Sequence, residues 1–277
     1  MSPRIECAEA DGVGVDGRTR PSEDRIAVLE NAVILLDGAT NLVPGRRSGG
    51  WYAEQLCTEL SARLRAEPDA GLVTVLETGI AEVAERFGLV PGDSPSATVA
   101  MLRVGADRVD ALVLADSPVV LRTSEGIEVL ADDRLRELPR SGGGYRKRLA
   151  EGGGFGEGHL AALRAGAEAT GRLRNVDGGF WVAEADPGAA RQAVTGSWPR
   201  GRVRAALLAS DGVSCAVDDY EILDWAGVFR LAAEQGPGAV IEAVHTAERA
   251  DPDGARWPRP KVSDDKALAY LDLEPTG

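Results

Sequence analysis

Histidine, cysteine and methionine are scarce in this chain, and no long apolar run occurs. The 277 residues hold two histidines, three cysteines and two methionines. His159 and His245 stand alone, without the spacing of a zinc site, and read as structural or exposed residues. Cys7, Cys57 and Cys215 are odd in number and far apart. They exclude a disulfide framework and predict reduced thiols in a cytoplasmic protein. No segment approaches the length of a membrane span. Met1 to Glu6 lacks the charged and apolar regions of a secretory signal. Lysine and arginine total 31 against 44 aspartates and glutamates, a net charge of −13. Neither nucleic acid nor a membrane is therefore an expected partner. Gly142-Gly143-Gly144 and Gly152-Gly153-Gly154 lack the Lys-Ser/Thr ending of a nucleotide phosphate loop. Cys57 and Arg63 have the Cys-x5-Arg spacing of cysteine phosphatases, but the residues between them are helical in pattern and contain no glycine.

Apolar residues make up 44% of the chain, enough for a sizeable core, and no linker divides it, so residues 1–277 read as one domain. Ile26 to Leu36 reads as a hairpin turning at Glu30-Asn31. Tyr52, Leu56, Leu60 and Leu64 mark one amphipathic helix, and Leu72, Val75, Leu76, Ile80, Val83 and Phe87 a second. The runs 97–104, 109–115, 119–123 and 127–130 are strands joined by short turns, which predicts an antiparallel meander. Residues 132–179 are rich in Gly, Arg and Lys and read as a flexible insert with a helix near 160–173. Strands follow at 180–183 and 203–209, helices at 219–233 and 239–248, and a closing strand at 266–273. Strands in runs and helices in pairs favour an α+β fold with mainly antiparallel sheets.

Three of the apolar runs end in an aspartate followed by a tiny residue: Leu36-Asp37-Gly38, Ala115-Asp116-Ser117 and Ala209-Ser210-Asp211-Gly212. Asp264-Asp265 opens the last run, and Glu23-Asp24 precedes the first. Strands that stop on carboxylates gather them at one rim of a sheet. Two such charges ~4 Å apart at an effective dielectric of 20 repel by about 4 kcal/mol. A hard cation relieves that repulsion, which points to magnesium, calcium or manganese. Arg18 and Arg20 lie just upstream, and arginine forks match phosphate oxygens.

In this order the motifs resemble those of the metal-dependent PPM (type 2C) protein phosphatases, in a divergent bacterial form. Ser22-Glu23-Asp24-Arg25, Leu35-Leu36-Asp37-Gly38, Pro95-Ser96-Ala97-Thr98, Leu114-Ala115-Asp116-Ser117, Ser210-Asp211-Gly212 and Ser263-Asp264-Asp265-Lys266-Ala267 carry the resemblance. It implies two stacked, mainly antiparallel sheets flanked by helix pairs. It further implies two Mn2+ or Mg2+ ions held by Asp37, Asp211 and Asp264 with the Gly38 carbonyl, and by Glu23 and Asp24 through water. A third ion would sit at Asp116, substrate phosphate would meet Arg20, and 132–179 would form a flap. The implied reaction is hydrolysis of phosphoserine or phosphothreonine in a protein by a metal-bridging hydroxide. Asp265 reads as a solvated neighbour of Asp264. Ala39-Thr40-Asn41, Pro118 and Ala267 depart from the family pattern.

Two other readings compete. A phosphatase with an aspartyl nucleophile needs a second aspartate two residues after Asp37, where Ala39 stands. A pseudophosphatase would bind phosphoproteins with little turnover.

Overall fold

In the computed structural model, residues 3–14, 17–42, 45–138 and 144–274 are described; Met1, Ser2, Arg140, Gly142 and Gly143 lie outside them. β1 (Arg4–Ala10) is followed by the predicted hairpin, in which β2 (Arg25–Val28) and β3 (Ala32–Leu36) pair with Arg25 opposite Leu36. All of β3, Ala-Val-Ile-Leu-Leu, is buried, because both faces of the strand are covered. Two helices come next, α1 (Gly49–Ala66) and α2 (Leu72–Phe87). The Ser48 hydroxyl caps α1 by accepting from the Trp51 N–H, and α2 stops at Gly88, whose φ of 62° suits glycine. Gly79 lets the two helices approach: a Cβ there would sit 2.7 Å from Leu60 Cδ2.

Strands β4 (Val99–Val104), β5 (Arg108–Leu114), β6 (Val119–Thr123) and β7 (Gly126–Leu130) follow. The short helices α3 (Arg134–Glu137) and α4 (Gly144–Ala150) lead to α5 (Glu157–Gly171). After β8 (Val194–Pro199) and β9 (Val203–Ala209) come α6 (Asp211–Asp218), α7 (Trp225–Gln235) and α8 (Pro237–Ala250), then β10 (Lys266–Asp272).

The strands form two five-stranded sheets, ordered β2-β3-β4-β5-β8 and β1-β10-β9-β6-β7, with every strand pair antiparallel. Val33, Leu35 and Leu102 of the first meet Leu121, Leu208 and Leu271 of the second in a buried layer. Ile34, Leu36 and Met101 face outward onto Leu56, Leu60 and Ile80 of α1 and α2. On the other side Leu207, Leu268 and Tyr270 pack on Val228, Phe229 and Val240 of α7 and α8. The stacked α+β arrangement expected from the sequence is thus present.

Three local expectations change. The meander is two hairpins: β4 pairs with β5 and β6 with β7, but β5 and β6 belong to different sheets. The chain crosses between sheets at Ala115–Pro118, with Ala115 left-handed at φ 67°. Residues 180–183 form isolated bridges rather than a strand. The helix expected at 219–233 starts later, at Trp225, where Asp224 caps α7 by accepting from the Gly227 N–H, and the separate helix α6 (Asp211–Asp218) precedes it.

Candidate metal centre

The register of the first hairpin sets two carboxylates against each other. Arg25 pairs with Leu36, so Asp24 and Asp37 extend the ladder by one step, and the Gly38 N–H donates to the Glu23 carbonyl. Gly38 passes so close to α1 that a Cβ would lie 2.4 Å from the Gly49 carbonyl carbon. At the end of β9, Ser210 exchanges main-chain and side-chain hydrogen bonds with Ala267, fixing Asp211 beside the start of β10. A Cβ on Gly212 would stand 1.9 Å from the Asp265 carbonyl oxygen, so only glycine allows that approach. Asp264 precedes β10, and Asp116 sits at the crossing between sheets.

The five aspartates act on one another. Burial raises Asp24 to about 7; the Ser210 hydroxyl lowers it, Asp264 and Asp265 raise it, and the Asp37 carboxyl lowers it. Asp37 is held well above the usual carboxylate range by burial, then by Asp24, Asp211 and Asp264. Asp211 is likewise raised by burial, then by Asp264 and Asp116. Solvent reaches the Asp211 side chain, so its crowding by carboxylates is the cause that survives hydration. Asp116 is raised by burial and by Asp132 and Asp264, against its own backbone N–H and Arg136. One ammonium answers this charge. Lys261 Nζ pairs with Asp264, and burial, which alone would lower its pKa, is outweighed by Asp264, Asp211 and Asp265.

The donor chemistry fits a hard divalent cation. All five groups are carboxylates, and no hydrogen bond of ordinary geometry reaches either oxygen of Asp24, 1% exposed, although the Ser210 hydroxyl and the Asp37 carboxyl lie near enough to act on it. Among the described residues, no group of three His, Cys, Asp or Glu is arranged to hold a metal ion.

No protein-family model and no curated protein matches the chain. Solved structures do. The catalytic domain of the serine/threonine phosphatase PstP, in complex with two manganese ions, has a TM-score of 0.57 and 14% identity over 98% of each chain. The PPM phosphatase MsPP from Mycobacterium smegmatis has 0.58 and 17%, covering 99% of this chain and all of that one. Stp1 from Staphylococcus aureus has 0.57 and 16%, covering 99% and 96%. The fold is that of the PPM-type phosphatases.

Within this PPM-type fold, Asp24, Asp37, Asp116, Asp211 and Asp264 come together from five segments. Glu23 is turned to other work. It accepts from Thr40 Oγ1 at 3.0 Å and the Gly50 N–H at 3.3 Å, and pairs with Arg20 at 3.1 Å. Arg20 is thus engaged by Glu23. Asp265 is not a solvated neighbour: it is 7% exposed and accepts from two main-chain N–H groups, those of Gly12 and Glu23.

Three contributors were not anticipated. Lys261 stands three residues before Asp264, a spacing that sequence alone cannot tell from a surface pair. Lys266 is fully buried on Glu248 at 3.0 Å and donates to the Asp264 carbonyl at 2.8 Å. Arg136 lines a cavity of about 260 Å³ together with Asp116, Pro118, Asp133, Asp218 and Trp225. No helix among the described residues is long and apolar enough to cross a membrane.

Proposed function

We propose that the chain is a metal-dependent phosphatase that hydrolyses phosphoserine or phosphothreonine in proteins. The observation that carries this is the convergence of five aspartates, one of them buried with no hydrogen bond of ordinary geometry to either oxygen. Asp37, Asp211, Asp264 and the Gly38 carbonyl would hold two divalent cations, manganese or magnesium. Glu23 and Asp24 would support them through water, and Asp116 would serve a third. Bound there, the cations would supply Lewis acidity and a nucleophile near neutral pH. The manganese complex of PstP supports this choice of ion.

The chain's own groups do the rest. Asp24 and Asp37, opposite each other, present oxygen donors from a rigid hairpin end. Asp265 and Lys266 fix the main chain that carries Asp264. Arg20, released from Glu23, would hold a phosphate oxygen. The cavity beside Asp116 would receive the residues flanking the phosphorylated side chain. A phosphorylated protein would be the partner, and the reduced thiols expected of Cys7, Cys57 and Cys215 suit a cytoplasmic location.

A pseudophosphatase is the second reading, favoured by one observation: Lys261 already occupies Asp264. Hydrolysis of an aryl phosphate and a phosphothreonine peptide, with manganese and with chelator, separates the two. Manganese-dependent turnover lost in Asp211→Asn supports the enzyme. Equal rates in both proteins, with or without metal, remove it.

A further inference from the structure

Lys261 is 13% exposed and Asp264 22%, so their ion pair is largely shielded from water. The ammonium also acts through its charge on Asp211 and Asp37, so all three carboxylates proposed as principal cation ligands are influenced by it. The Asp264 oxygen that holds the ammonium cannot serve it and a divalent ion at once.

The surrounding main chain is pinned independently of Lys261. Lys266 Nζ donates to the Asp264 carbonyl, Asp265 holds the Gly12 and Glu23 N–H groups, and Ser263 Oγ donates to Glu248 Oε2 at 2.8 Å. Asp264 Oδ1 also accepts from the Asp265 N–H at 2.9 Å, a bond within the pinned main chain, so the lysine is the cationic partner that has to leave for Asp264 to meet another cation. Asp24, buried in the same cluster, makes no hydrogen bond of ordinary geometry through either carboxylate oxygen.

We propose that Lys261 is a built-in competitor of the divalent cation: its ammonium neutralises Asp264 until an incoming ion displaces it. This rests on the cation centre proposed above and adds a residue that sets the affinity of that centre. The intrinsic charge balances the acids when divalent ion is scarce, and an ion that displaces it binds with an apparent affinity reduced by the fraction of time the tethered amine leaves Asp264 free.

The experiment is titration of the full chain with manganese chloride by calorimetry, at one pH, for wild type, Lys261→Met, Lys261→Gln and Lys261→Arg. Melting is followed in chelator and in saturating manganese. Lys261→Met, and Lys261→Gln should Met fail to fold, should bind manganese at least tenfold more tightly. Each should melt lower in chelator and gain more on adding manganese, while Lys261→Arg stays near wild type. A merely structural lysine would instead lower both stability and metal affinity. Unchanged or weaker affinity in a folded neutral variant overturns the proposal, as does absence of manganese binding in every protein. Tighter binding without hydrolysis by any of them would leave the proposal standing and remove the phosphatase reading. Hydrolysis with unchanged affinity would do the reverse.

Discussion

Asp265 Oδ2 accepts a hydrogen bond from the Glu23 main-chain N–H at 3.0 Å, across 242 residues of sequence. Its Oδ1 accepts from the Gly12 N–H at 2.8 Å. One buried carboxylate thereby locks the loop that carries Glu23 and Asp24 to the loop that carries Asp264. In this low-dielectric setting both bonds are charge-assisted and strong.

Asp265→Ala leaves two buried N–H groups without acceptors. We expect a loss of about 2–4 kcal/mol in urea unfolding, together with weaker manganese binding, although Asp265 is not among the proposed ligands. Wild-type stability in that variant would show that the tether is dispensable.

The acid cluster sets a pH dependence of definite sign. Asp24 is raised to about 7, and Asp37 and Asp211 are raised as well, each first by burial and then by neighbouring carboxylates. Between the unfolded and folded pKa values the native state binds more protons than the unfolded chain. Stability therefore falls as pH rises through that window. The steps belong to the cluster rather than to single residues. Denaturation in chelator should show stability declining from about pH 5 to about pH 7, where an ordinary aspartate is already ionised near 3.9. Asp24→Asn should flatten the decline, and saturating manganese should abolish it. A flat profile in chelator would contradict the electrostatic account.

Gly212→Ala tests the close approach of α6 to the turn before β10. Its Cβ would fall 1.9 Å from the Asp265 carbonyl oxygen, so one element has to shift. Overpacking of this kind costs about 1–3 kcal/mol or more. Manganese affinity should fall with it, because the shift separates Asp211 from Asp264. Calorimetry and thermal melting check both, and retention of both would mean the turn yields freely.

Much of this was legible because burial leaves a periodic trace. The Leu56, Leu60 and Leu64 stripe gave α1, and the unbroken Ala32–Leu36 run gave a strand covered on both faces. The strand-ending aspartates pointed to the centre. β1, Arg-Ile-Glu-Cys-Ala-Glu-Ala, was hidden because it is an edge strand with no buried residue, exposed at Arg4, Cys7 and Glu9 and half-buried elsewhere, so it shows no apolar stripe. The passage of β5 and β6 into different sheets was hidden because Ala115–Pro118 is as short as a hairpin turn, and only the left-handed Ala115 redirects it. Asp265 and Lys261 were missed for a common reason. Their partners, Glu23 and the acids around Asp264, are brought to them by tertiary structure, while their local sequence reads as solvated charge.

Arg259 and Asp251 form the counterpart of the acid cluster, with the opposite pH response. The Arg259 guanidinium is 2.9 Å from Asp251 Oδ2 and donates to the Asp251 carbonyl at 2.7 Å and the Val262 carbonyl at 2.9 Å, with Phe155 against its face. Burial raises the Asp251 pKa, but the N–H groups of Trp257 and Arg256 and the Arg259 side chain outweigh it and hold it below the usual value. A lowered carboxylate stabilises the native state above its unfolded pKa, and that contribution disappears as pH falls through the folded one. The metal-depleted protein should therefore show a stability maximum, limited on the acid side by Asp251 and on the neutral side by the aspartate cluster. Arg259→Met should cost about 3–5 kcal/mol by leaving Asp251 buried without its cation. It should also weaken the loop that positions Lys261, three residues from Asp264. Asp251→Asn should remove the acid-side fall while keeping the decline toward pH 7, and an unchanged acid limb in that variant would assign it to other carboxylates.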